Sequence, residues 1–203
     1  RLEASRAQRF RLAMEEGRAA LGRADPADAT AAFAIAVAIE PGNDEARAGA
    51  ERARNMPAVL EALAGGKLLE DAGDLDGALA RYRDAAALDP TSPRARDDAA
   101  RLAAAVAERD YLRAVSDALA RLERNDLRGA SAALERARAV HPAAPEVKDI
   151  ARRLAGATQR ATLEGLRRQA AALEAGEDWQ GALGLYRKAL ALESTLAEAH
   201  YLE

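Results

Sequence analysis

Cysteine is absent from this chain, which removes disulfides, thiolate nucleophiles and cysteine-based zinc sites together without deciding the compartment. Aromatic residues make up only 3%, with a single tryptophan, so any core must be thin and built from small side chains. No run reaches the ~18 consecutive apolar residues of a membrane-spanning helix, so no membrane insertion is expected. A dominant charge is missing too: Lys+Arg number 30 against 33 Asp+Glu, a net −3, which gives no reason to expect nucleic acid. The two histidines, His141 and His200, have no second ligand nearby at metal spacing, and His141 before Pro142 suits a helix end. The adjacent carboxylates Glu15-Glu16, Asp97-Asp98 and Glu177-Asp178 would point different ways on a helix. None of Ser5, Ser92, Ser116, Ser131 and Ser194 sits in a G-x-S-x-G elbow. The string Gly65-Gly66-Lys67 lacks the Walker spacing and falls inside a helical pattern. No catalytic centre, metal or cofactor is expected.

What is present is alanine. Hydrophobic residues reach 49%, largely through the best helix former, which predicts an all-α chain whose helices approach closely. The organising stretch is Gly73 to Pro90. Gly73 and Asp74 suit the end of one helix and the cap of the next. Ala78, Tyr82 and Ala85 fall on one helical face, and Pro90 cannot continue the helix. Ala29, Phe33, Ala36 and Pro41 repeat this block, as do Ala130, Leu134, Ala137 and Pro142. Ala182, Tyr186 and Ala189 repeat it with Ser194 in place of the proline. Asp25, Asp74, Asp126 and Asp178 each stand four residues before the marker alanine.

With Ala62, Gly65, Gly66 and Leu69 on the preceding helix, the pattern resembles the tetratricopeptide repeat (TPR), W-x2-L-G-x2-Y, then A-x3-F, then P. The resemblance implies a right-handed α-α superhelix, a TPR-like solenoid, with extra or elongated helices between hairpins. It also implies a concave groove, lined by the first helices, that takes up peptides. Aligned on the repeats, Met14 and Arg18, Leu63 and Lys67, Val115 and Leu119, and Arg167 with Ala171 would face that groove. This mixture is weakly basic and apolar and lacks the asparagines of a carboxylate clamp.

The spacing departs from the family. Marker alanines advance by 49, 52 and 52 residues against a family period of ~34, enough for one more helix each time. Pro93 and Pro145, Leu102 and Leu154, and Gly129 and Gly181 also lie 52 apart, so the insert itself is duplicated. Within one domain over 1–203, hairpins are predicted at about 2–41, 58–90, 109–142 and 160–194. Linking helical segments are predicted at about 43–56, 92–108 and 144–159. Met56-Pro57 is expected to kink or break the first insert, whereas Pro93 to Arg124 and Pro145 to Ala175 can each be one helix. Leu154 to Leu163, and Leu102 to Tyr111, are nine residues apart. At ~100° per residue that turns the apolar face to roughly the opposite side, so each long segment should cover the hairpin behind it and supply the first helix of the hairpin ahead. Trp179, aligned with Leu75 and Leu127, is expected to pack at a hairpin turn. Residues 195–201 are expected to begin a further helix.

These readings predict a non-catalytic scaffold that binds protein or peptide partners, as one region of a larger, bacterial-type protein, since the chain opens at Arg1 without methionine. The alternative is a structural spacer or self-association module whose array ends stack on identical copies. The arginines Arg1, Arg6, Arg9 and Arg11 read as a solvated helix face. Truncating Phe33, Tyr82 or Tyr186 to alanine is expected to cost about 3–5 kcal/mol each if all three are buried.

Overall fold

The computed structural model describes the backbone of residues 2–201 and the side chains of residues 3–192. Among these residues there are eight helices and no strand. They are α1 (Leu2–Gly22), α2 (Pro26–Ile39), α3 (Asp44–Asp71), α4 (Leu75–Leu88), α5 (Pro93–Glu123), α6 (Leu127–Val140), α7 (Pro145–Ala175) and α8 (Trp179–Tyr201). The chain divides into two compact units, Arg1–Val106 and Ala107–Glu203, and α5 contributes residues to each.

Four of the connections are the same turn. Ala24, Gly73, Asn125 and Glu177 all adopt positive φ, between 57° and 81°. At each, the left-handed residue donates three residues back, and the aspartate after it donates five back. Gly73 N–H reaches Glu70 O at 2.9 Å and Asp74 N–H reaches Leu69 O at 2.9 Å, with equivalents at Asp25, Asp126 and Asp178. This pair of bonds closes the last helical turn, and the left-handed residue is what lets the chain reverse. The aspartate then caps the next helix: Asp74, Asp126 and Asp178 accept from the amides of Gly77, Gly129 and Gly181 at 3.0, 3.0 and 2.9 Å. Asp25 accepts from Ala27 and Asp28, beside Pro26 in the first turn of α2.

Only one of the four left-handed positions is glycine. In the last turn Gly176 stands one residue too early, at φ −91°, and Glu177 takes the strained conformation at 63°. A side chain costs about 1 kcal/mol or more there. Ala24→Gly and Glu177→Gly should therefore each stabilise the protein by about 0.5–1 kcal/mol, and Gly73→Ala should destabilise it by a similar amount. Urea denaturation midpoints would show the opposite signs.

The long segments are continuous. α5 and α7 are each single helices of 31 residues, and α3 is one helix of 28 residues with Pro57 inside it. The break expected at Met56-Pro57 does not occur. The proline removes one backbone donor, but α3 is gripped on both sides of it. Upstream, Ala46 and Ala53 join the cluster of Met14, Ala29, Phe33 and Ala36 from α1 and α2. Downstream, Val59, Ala62 and Leu63 join Ala78, Leu79, Tyr82 and Ala85 of α4. Packing at both ends outweighs the missing bond.

α5 is divided in the same way. Ala95 and Leu102 close the cluster over α4, whereas Tyr111, Ala114 and Ala118 build the cluster of the second unit with Leu134 of α6 and Val147 and Ile150 of α7. The start of each linking helix thus covers one hairpin and its end forms the next. α8 departs from the other hairpin helices: the new helix expected over 195–201 is absent, and α8 runs unbroken to Tyr201. Ser194 occupies the position where Pro41, Pro90 and Pro142 stand, and serine does not stop a helix.

Side-chain volume is balanced within these cores. Phe33, 1% exposed, lies between Gly17 and Gly49; an added Cβ on Gly17 would sit 2.8 Å from its ring, and one on Gly49 closer still. The aligned set in the second unit has a smaller centre, Leu134, with larger neighbours, Ala118 and Ile150, all at most 3% exposed. Tyr82 is intermediate, with Gly66 placing a Cβ 2.7 Å from its ring.

Candidate functional site

Where the end of α1 and the middle of α3 approach the turn between α4 and α5, the first unit leaves an open cleft of about 480 Å³. Leu21, Met56, Val59, Leu60, Leu63 and Pro93 form its apolar wall, with Arg18, Arg52 and Arg94 around it. A shallower depression of about 360 Å³ adjoins it, sharing Arg18, Leu21 and Arg52 and reaching Met14 and Phe33. The two form a groove along α1 and α3 within a single unit.

The polar frame of the groove is built around Asp89, the buried charged residue of the described chain at 9% exposure. It ends α4 by donating its own amide to Ala85 O, and its carboxylate organises the turn. Oδ1 accepts from the Thr91 amide at 3.0 Å and the Thr91 hydroxyl at 2.6 Å. Oδ2 accepts from Arg52 Nε at 3.1 Å. Burial alone pushes this carboxyl up, but the Thr91 hydroxyl and amide and the Arg52 guanidinium outweigh it and hold it below the ordinary carboxylate range. Beside it, Asn55 donates to Leu88 O at 3.2 Å. Arg6 makes the equivalent bond to Ile39 O from the position 49 residues earlier. The Asp89 side of the groove is thus held by the bonds from Arg52 and Thr91, and the neighbouring bond from Asn55 recurs in the first hairpin.

Arg18 bonds Glu45 at 2.5 Å, with 55% of its side chain exposed. Arg94, 71% exposed, stands 3.8 Å from Asp98. Both guanidiniums are themselves more than half exposed, Arg18 beside exposed Glu45 and Arg94 at a long distance from half-buried Asp98, and such pairs are weak at the surface, so an incoming carboxylate can compete for them.

The residues aligned as one binding surface are placed differently. Arg18 and Leu63 line the cleft and Met14 the adjoining depression, but Met14 and Leu63 are only 3% and 5% exposed and are chiefly core residues. Lys67 lies outside the groove, paired with Asp71. Val115 and Leu119 are half-buried against the second unit's core, and Arg167 is exposed on α7. Arg52 and Arg94 went unnoticed in the sequence, and Met56 was read only as part of a kink or break, because all three fall in segments read as linkers. Only Arg52 left a signal, its alignment with Arg101 and Arg153 at steps of 49 and 52 residues.

Elsewhere in the second unit, Glu108 Oε2 and His141 Nε2 are 2.7 Å apart, and the His141 ring meets Tyr111 edge-on at 4.7 Å. This pair ties the end of α6 to α5, the role Arg52 and Asp89 play in the first unit. No protein-family model matches the chain, and no curated protein matches it.

Proposed function

We propose that this chain is a non-catalytic, helical-repeat interaction module of tetratricopeptide type, a right-handed α-α superhelix with elongated linking helices. In this reading it holds a partner's peptide segment in the groove of its first unit. The observation that carries the reading is the cleft of about 480 Å³ in which three arginines surround an apolar wall of Leu21, Met56, Val59, Leu60 and Pro93. That chemistry suits a short segment carrying a carboxylate among apolar side chains. The fourfold turn and the two-sided linking helices support the repeat assignment. The pairs Arg52–Asp89 and Glu108–His141 support a structural role for their members, because each ties the end of one helix to a neighbouring helix.

The test is selection of peptides from a displayed random library on the chain. Enriched sequences should be acidic and apolar. Arg18→Glu and Arg94→Glu should each weaken the selected peptide by about tenfold, the scale of one charge-assisted contact. Lys67→Glu makes the same change of charge outside the groove and should leave binding intact. Equal losses from all three would mean that only general charge is sensed, and no loss from the arginine changes would place the site elsewhere.

A further inference from the structure

Three large apolar side chains are exposed along α8. Trp179, Leu183 and Leu190 are 61%, 49% and 64% exposed, and spacings of four and seven residues place them on one face with half-buried Tyr186. The aligned face of α4, 104 residues earlier, is covered. Leu75, Leu79, Tyr82 and Ala86 belong to a cluster closed by Ala95, Ala99 and Leu102 from the start of α5, and Leu79 and Tyr82 are reduced to 6% and 2% exposure.

A polar pair accompanies that cover. Tyr82 donates its hydroxyl to Glu70 at 2.9 Å, and Arg101 of α5 grips the same carboxylate through two bonds of 2.7 and 3.0 Å. The last hairpin repeats the receiving half: Tyr186 donates to Glu174 at 3.1 Å, each 104 residues after its counterpart. The other two hairpins have Phe33 with Leu21 and Leu134 with Leu122 at these positions, so hydroxyl and carboxylate occur together or not at all.

We infer that the Trp179–Leu190 face of α8 is a docking surface for a helix of a partner protein with the chemistry of the first half of α5. Such a helix carries alanines and a leucine along one face, and an arginine immediately before that leucine closes on Glu174 in a two-pronged ion pair. A second copy of this chain has no such helix to offer. The first halves of α3, α5 and α7 are each packed into their own hairpins, and releasing one would open its own core.

The sole tryptophan reads the test. A blocked synthetic peptide of residues 90–108, which lacks tryptophan, is titrated into the full chain while Trp179 emission is followed. A saturable blue shift is expected. Arg101→Ala in the peptide, or Glu174→Gln in the chain, should weaken it by about tenfold, while Glu164→Gln on the same helix as Glu174 should not. In a second arm, residues 193–203 are replaced by residues 89–108, which holds the helix in cis at the register it has after α4. Trp179 emission should shift to the blue and the melting temperature should rise, and both gains should be lost with Arg101→Ala in the graft. A graft that leaves Trp179 as exposed as before overturns the surface. A graft that covers Trp179 beside a flat peptide titration overturns docking from a partner, as does a blue shift that appears on concentrating the unmodified chain alone.

Discussion

Phe33→Ala should destabilise the first unit by about 3–5 kcal/mol, the range for emptying a buried aromatic site. The ring is 1% exposed and is packed by glycines on either side, Gly17 and Gly49. Neither Gly17 nor Gly49 has a side chain that could swing into the void, and the packed surroundings collapse only partly. The reverse change is also costly. Gly49→Ile drives a side chain into the ring and should cost about 1–3 kcal/mol or more. The protein's own second unit indicates the remedy: there the aligned positions are Leu134 and Ile150, buried together. Phe33→Leu with Gly49→Ile should therefore lose much less than the sum of the two single changes, a coupling of about 1–3 kcal/mol that a double-mutant cycle in urea would measure. Additive losses would mean that the hairpin centre and its covering helix do not trade volume. Tyr186→Ala belongs to a lesser class, since its ring is only half-buried and should cost well below what Phe33 does.

Much of this architecture can be read in the residues because the chain states it four times. The recurrence of aspartate, alanine and a large residue locates the hairpins, and the nine-residue phase shift in α5 and α7 exposes their double duty. Where the reading failed, a single residue competed with a tertiary effect. Pro57 carries a local signal to stop, yet the cores on either side of it hold α3 together. The groove was less legible than the fold. Arg18 and Leu63 were visible from the repeat alignment, but Arg52 and Arg94 come from segments that the family pattern does not contain. Their approach to the end of α1 depends on how the turn around Asp89 folds back, which no local pattern reports.

Tyr82→Ala should cost about 3–5 kcal/mol as well, but its chemistry divides further. Tyr82→Phe keeps the ring beside Gly66 and removes only the hydroxyl bond to Glu70, a loss of about 1 kcal/mol. The pH dependence identifies the pair. Glu70 is held at about 2, below its ordinary 4.5, first by the bonds from Arg101 and then by the Tyr82 hydroxyl. A depressed folded-state value means that its contribution is complete above pH 4.5 and is lost as pH falls towards about 2. Tyr82 is shifted the other way, pushed up to about 12 from 10.0 by burial first and then by its bond to Glu70. Its contribution is complete below pH 10 and is lost as pH rises through about 12. Stability measured by urea denaturation should therefore fall on both flanks. Glu70→Gln should flatten the acid flank, where the remaining slope comes from carboxylates such as Asp117, held down by Arg121 and Arg136. Tyr82→Phe should flatten the alkaline one. The pair Glu70→Leu and Tyr82→Phe recreates the combination of Leu21 and Phe33 found in the first hairpin. It should remove both pH dependences while restoring more stability than Glu70→Leu alone, because no hydroxyl is then left without an acceptor.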